Sequence, residues 1–221
     1  MAKEYKIEIT FIEEMLGTGS PDPEIHRNFI ASKSPDAATI EEEVEAYGAD
    51  AVADKKMTVF PRDEEGRPFI WPYQIKGFFK GACSFLRKVP GMESAKVKTY
   101  RKDIDGLIFA YPDKIPIIFD GEMSTCERPL RASTPQGERV ALASSETVPA
   151  GSKATFVVRL LNEKAHEDAL MEWLAYGALN GTGGWRNSGK GQFSFRVLGE
   201  RTITNPLLAL DTKVAIPWDE D

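Results

Sequence analysis

Six glycines fall within the 16 residues Gly177–Gln192, which read Gly-Ala-Leu-Asn-Gly-Thr-Gly-Gly-Trp-Arg-Asn-Ser-Gly-Lys-Gly-Gln. Glycine tolerates positive φ and lets backbone N–H groups approach an anion closely, a phosphate above all. Gly183, Gly184, Gly189 and Gly191 are the candidates for that approach. Trp185 adds a stacking surface, and Arg186 and Lys190 add two cations. Gly184–Lys190 has the spacing G-x-x-x-x-G-K, but it is not read as a P-loop. Gly191 stands where Ser or Thr should hold Mg²⁺, and the loop leads from a helix to a strand, the reverse of that motif. The plain alternative is a flexible helix–strand connection.

A second set of cations lies on a segment with helical spacing. Ile75, Phe78, Phe79, Ala82 and Leu86 recur on one face, and Lys76, Lys80 and Arg87 fall on another. Gly77 and Gly81 each cost such a helix about 1 kcal/mol relative to Ala. Their spacing predicts close backbone packing against protein or ligand, which makes Gly77 a further backbone-approach candidate. Arg128, Arg131 and Arg139 complete the cations. Cations beside aromatic rings are what sequence-tolerant single-strand binding needs. Trp71, Tyr73 and Trp173 are read as core instead.

Signals for catalysis are thin. Asp22 and His26 share a loop that could support acid–base work, and His166 reads as a solvated residue. No triad, metal cluster or cofactor fingerprint occurs, so no catalytic residue, metal or cofactor is expected. Two cysteines, Cys83 and Cys126, exclude a disulfide framework and a Cys-based zinc site, and both are expected reduced.

The 221 residues carry 28 Lys+Arg against 34 Asp+Glu, a net charge of −6. That excludes a uniformly basic coat protein but not a basic face. Residues 20–65 hold 12 acidic against five basic residues, and residues 70–102 hold eight basic against one acidic. The two stretches suit an electropositive surface with an acidic lobe beside it, or head-to-tail contact between copies. No apolar run is long enough to span a bilayer, and the start of the chain lacks a signal-peptide pattern. The expectation is a cytoplasmic protein without membrane contact.

The elements that must hold these residues follow from periodicity. Residues 3–12 alternate, with Tyr5, Ile7, Ile9 and Phe11 on one side. Residues 24–66 are acidic, with a capping box at Thr39 and Glu42 and helical spacing of Ile40, Val44 and Tyr47. Strands are expected at 57–60, 107–111, 115–123, 154–161 and 192–197, and a second helix at 163–178 after Asn162. Cys126 is expected just after a strand. The order strand, helix, strands, helix, strand is that of an α+β ferredoxin-like, RRM-like sheet. The expected organisation is a core of residues 1–19 and 67–204, an acidic inserted lobe at 20–66 and a tail at 205–221.

Several stretches resemble the RAMP superfamily, the CRISPR-associated RNA-binding proteins. The run from Gly183 to Phe193 resembles its glycine-rich loop between helix and strand, with the cations displaced. Pro68–Gly81 resembles its entry to the first helix, where Lys76 and Gly77 match a Lys-Gly pair; Trp71-Pro-Tyr-Gln departs from the family's Pro-Gly-Ser-Ser. Val148–Phe156 resembles the family's turn before a strand, and Glu8–Gly19 its first strand and exit. The landmarks occur in order across all but residues 20–66. The resemblance implies a ferredoxin-like core, binding of single-stranded RNA, and end-to-end assembly or membership of a multi-subunit complex.

Independently of the resemblance, the residues offer a nucleic-acid site made of Lys76, Lys80, Arg128, Arg131, Trp185, Arg186 and Lys190, and the expectation is binding of RNA or DNA without catalysis. The acidic segment fits a solitary phage or mobile-element member of that family. The alternative is an interaction protein that keeps the fold but not the groove, such as a mimic that interferes with a host CRISPR complex.

Overall fold

The computed structural model describes residues 2–20, 57–134 and 137–203, the side chains of 130–142 excepted. The expectations for 24–56, Asp22 and His26 among the loop residues, and the 205–221 tail lie outside the described residues.

The chain opens with β1 (Ala2–Phe11) and the short β2 (Met15–Leu16). β3 (Met57–Thr58) and β4 (Phe69–Ile70) lead to helix α1 (Pro72–Leu86). Pro72 occupies the first helical position, where a missing N–H costs nothing, and the Gln74 side chain accepts the Trp71 N–H at 2.9 Å. A 3-10 turn at Glu93–Lys96 precedes helix α2 (Tyr100–Leu107). β5 (Ile108–Tyr111), β6 (Ile115–Ile118), β7 (Ser124–Thr134), β8 (Gly137–Val148) and β9 (Lys153–Leu160) follow. Helix α3 (Glu163–Asn180) and β10 (Phe193–Ile203) complete the described chain.

The elements form an α+β architecture of two sheets. The larger has the order β10-β1-β9-β6-β4, with β5 also on β9, and its described pairings are antiparallel. The smaller has the order β2-β8-β3, with β7 paired along β8 from Gly137 to Thr147.

Alternation along β1 turns Tyr5, Ile7, Ile9 and Phe11 toward the helices, where all four are buried. Ile75, Phe78, Phe79 and Ala82 of α1 meet them, with Ala169, Leu170, Trp173 and Leu174 of α3. Phe193 sits between the layers, 5.1 Å from Phe78 and 6.3 Å from Phe11. Glu172 of α3 accepts the N–H groups of Glu93 and Ser94 at 2.5 and 2.9 Å, and so holds the 3-10 turn against the helix.

The opposite face of β1 carries a buried ion group. Glu4 is fully buried and accepts from Arg159 of β9 at 2.7 Å and from Arg201 of β10 at 2.6 Å. Arg159, on the more polar side of the alternation in 154–161, is only 3% exposed.

Several elements differ from the sequence expectation. The strand expected at 115–123 ends at Ile118, and the final strand runs on to Ile203. Cys126 lies within β7 rather than after a strand. The β7–β8 hairpin was absent from the expectation because its strands do not alternate and Pro129 interrupts one. Pro129 is tolerated because, among the described residues, β7 pairs only with β8, so it lies on an edge. Helix α2 was absent because only Ile104 of its eight residues is buried, which leaves no periodicity to read.

Gly177 lies in α3 directly over Phe193, where a Cβ would fall onto the aromatic ring. Gly81 in α1 has nothing within 4 Å of the same position. Gly177→Ala is expected to lower unfolding free energy by about 1–3 kcal/mol through overpacking. Gly81→Ala is expected to raise it by up to about 1 kcal/mol through helix propensity. Urea titration of the two variants reads both signs; equal effects would contradict this packing.

Candidate nucleic-acid interface

The glycine-rich loop folds back onto the segment that leaves β1. Gly191 N–H donates to the Glu14 carbonyl at 2.9 Å, Thr182 N–H to the Gly191 carbonyl at 2.9 Å, and Gly184 N–H to the Leu16 carbonyl at 3.4 Å. Gly191 has φ +70°, and a Cβ there would collide with the Thr182 carbonyl oxygen. At Gly183 a Cβ would lie 2.9 Å from the Leu16 oxygen, and at Gly184 it would lie 3.4 Å from the Leu16 Cβ. These glycines therefore admit the chain's own backbone. Gly189, with nothing closer than 3.9 Å, stands clear.

Trp185 follows in the left-handed region, with φ 54° and ψ 35°, the only non-glycine residue with positive φ among those described. The Arg128 guanidinium of β7 lies over its ring, 5.1 Å from the centroid. Nε and Nη1 of Arg128 are shielded from solvent and have no hydrogen-bond partner among the described residues. Arg186 is exposed and has no ion pair with a described residue. Lys190 meets Glu14 at 2.5 Å, and that carboxylate's hydrogen bond raises the lysine's pKa.

The start of α1 joins the same region. Gln74 Nε2 donates to Thr18 Oγ1 at 3.1 Å, and Thr18 borders Gly184. Sequence reasoning missed both residues; Trp71 is not a capping residue type, which hid the role of Gln74. Trp71 and Trp173 are buried as expected, whereas Tyr73 is 39% exposed and not a core residue. Its ring stacks on Trp71 with centroids 6.4 Å apart and planes 15° apart.

Lys76 and Lys80 sit along the seam between α1 and α2. Lys76 donates to the Asp105 carbonyl at 3.0 Å and lies 4.7 Å from the Phe109 centroid; Lys80 meets the Asp105 carboxylate at 2.5 Å. Burial pulls the Lys76 ammonium below its ordinary pKa, with Asp105 opposing. No contact among the described residues joins this pair to the loop cations. Gly77 is exposed with nothing within 4 Å, so close packing against protein is not its reason. The side chains of Arg131 and Arg139 lie outside the described residues.

His166 corrects another expectation. It is 3% exposed, with Nδ1 3.0 Å from the Asn162 carbonyl and Nε2 3.7 Å from Asp103 of α2. Both cysteines are free, and burial pushes the Cys83 thiol up to about 11. Among the described residues, no group of three His, Cys, Asp or Glu side chains is arranged to hold a metal, and no helix is long and apolar enough to cross a membrane.

No protein-family model matches the sequence, and no curated protein matches it. Among solved structures the chain is similar to one in the cryo-EM structure of the Type III-B Cmr-beta bound to cognate target RNA. The TM-score is 0.50 and the identity 13%, over 91% of this chain and 61% of that one. The likeness is one of fold, and this chain spans about three fifths of its neighbour's length.

Trp185 pays a backbone cost and gains one cation–π contact, two effects of similar size near 1 kcal/mol. Trp185→Gly is therefore expected to change unfolding free energy by less than about 1 kcal/mol in thermal melts. A loss well above that would make Trp185 a packing residue instead.

Proposed function

We propose that this chain binds single-stranded nucleic acid, RNA in particular, as a non-catalytic RAMP-type protein with a ferredoxin-like core. The observation that carries the reading is the Arg128–Trp185 stack on the glycine-rich loop, where an aromatic ring meets a cation whose Nε and Nη1 have no partner among the described residues. Phosphate oxygens would satisfy such donors, and bases stack on such rings, at roughly 1–3 kcal/mol each. The strand order β10-β1-β9 followed by β5 and β6, with α1 and α3 on one face, supports the ferredoxin-like assignment. The fold neighbour's assembly, bound to cognate target RNA, supports RNA over DNA and membership of a multi-subunit complex.

A second reading has one observation in its favour. Lys190, Lys76 and Lys80 already hold carboxylate or carbonyl partners, as in an interaction protein whose groove no longer serves RNA.

Titrating a fluorescent 20-mer RNA at low and high salt separates the two. Binding is expected with log affinity falling linearly in log salt, by about 0.7 for each phosphate neutralised. Arg128→Gln with Trp185→Ala is expected to weaken it at least fivefold. Lys76→Ala with Lys80→Ala should make the slope shallower, and Glu14→Gln, which frees Lys190, should make it steeper. The RNA should remain intact throughout. Absence of binding at low salt would sink the proposal and favour the interaction protein.

A further inference from the structure

The C-terminal end of α1 and the start of α2 carry cations that the glycine-rich loop does not use. Residues 87–102 hold six Lys or Arg against the single acid Glu93. Two of them converge on one ring: the Arg87 guanidinium is 5.4 Å and the Arg101 guanidinium 5.8 Å from the Tyr100 centroid. Arg101 Nε also donates to the Tyr100 hydroxyl at 3.2 Å. Lys88, next along the chain, lies 5.9 Å from the ring of Phe85, which is 53% exposed. Lys98 and Lys102 are exposed, with no ion pair among the described residues.

Four nearby carboxylates are committed elsewhere. Glu93 pairs with Lys96 at 2.5 Å, and Glu172 accepts the N–H groups of the 3-10 turn. Asp103 accepts the Thr99 hydroxyl at 2.9 Å and faces His166, and Asp105 holds Lys80. Five cations, Arg87, Lys88, Lys98, Arg101 and Lys102, are left without a carboxylate among the described residues. Arg87 and Arg101 flank the ring of Tyr100, and Lys88 lies beside the exposed ring of Phe85.

We infer that this surface is a second contact site for single-stranded nucleic acid, in which Arg87, Arg101 and the neighbouring lysines take the sugar-phosphate backbone beside Tyr100 and Phe85. The ligand class rests on the function proposed above, but the residues are separate. Aromatic rings interleaved with cations favour a nucleic-acid strand over an acidic polypeptide, because each base offers a π-face and each linkage a charge. Arginine forks already held on a ring lose little freedom when they bind phosphate. The site lies at the far end of α1 from the glycine-rich loop. The helix has 15 residues, so about 22 Å separates its ends. At roughly 3.4 Å per stacked nucleotide, a strand of about seven nucleotides spans that distance.

The test uses the full chain and a 20-mer oligouridine carrying 4-thiouridine, with photocrosslinks mapped to peptides and affinity titrated against salt. Crosslinks are expected in two regions, one containing Trp185 and one containing Phe85 or Tyr100. Arg87→Gln with Arg101→Gln should make the salt slope shallower by about 1.4, two cations at about 0.7 each. Lys98→Gln with Lys102→Gln should do the same while leaving the melting temperature unchanged, since both lysines are exposed and neither has an ion pair among the described residues. Unchanged slopes in both double variants, with crosslinks confined to the loop, overturn the second site and leave the loop reading standing. A surface that serves an acidic protein gives that same overturning result. Slopes lost in the lysine variant, with binding indifferent to Trp185→Ala, keep this site and overturn the loop reading.

Discussion

The hydrogen bond from Gly191 N–H to the Glu14 carbonyl is the contact on which the candidate interface depends. It draws the end of the glycine-rich loop onto the segment leaving β1, and only a residue without Cβ fits there. Two positions later Phe193 enters β10 opposite Phe11, and its ring fills the space under Gly177. Loop closure, strand register and core packing are thus set within three residues. The same segment carries Thr18, which Gln74 grips from the start of α1. Loop, first-strand exit and helix entry converge because each is tied to the stretch Glu14–Thr18.

Charge is divided between two environments with different consequences. Glu4 and Arg159 lie in the interior, where removing one partner strands a buried charge at a cost of several kcal/mol. Lys190–Glu14 and Lys80–Asp105 lie nearer the surface, where a pair contributes only about 0–1 kcal/mol. Phosphate can displace such carboxylates at little cost to the fold. Partners of this kind keep the resting surface close to neutral while leaving its cations available, which fits a chain whose net charge is −6.

The most legible parts of the sequence were those whose periodicity meets one flat partner. Tyr5, Ile7, Ile9 and Phe11 alternate because one face of β1 meets helices, and Ile75, Phe78, Phe79 and Ala82 recur because one face of α1 meets that sheet. The hairpin of β7 and β8 was illegible because its order comes from a ladder between strands that no apolar periodicity announces. Arg128 was legible as a cation, but its position over Trp185 depends on that hairpin. Gly77 and Gly191 look alike as letters, yet one is open to solvent and the other is filled by backbone; only tertiary neighbours distinguish them. His166 misled for the same reason, since its burial and its approach to Asp103 of α2 come from tertiary neighbours.

Trp185 has a feature that folding alone does not explain. The loop already has glycines at 181, 183, 184, 189 and 191, and four of these, all but Gly184, adopt positive φ without strain. A glycine at 185 would take the same left-handed backbone freely, whereas tryptophan there carries a conformational cost of order 1 kcal/mol. Its ring is not part of the hydrophobic core, and its described aromatic or cationic contact is with Arg128. That guanidinium in turn keeps Nε and Nη1 shielded and without a partner among the described residues, a further cost that the stack by itself does not offset. Two adjacent departures from the lowest-energy choice, one in backbone and one in hydrogen bonding, share a single surface point. A ligand that stacks on the ring and accepts from the guanidinium would relieve the second cost and use the first.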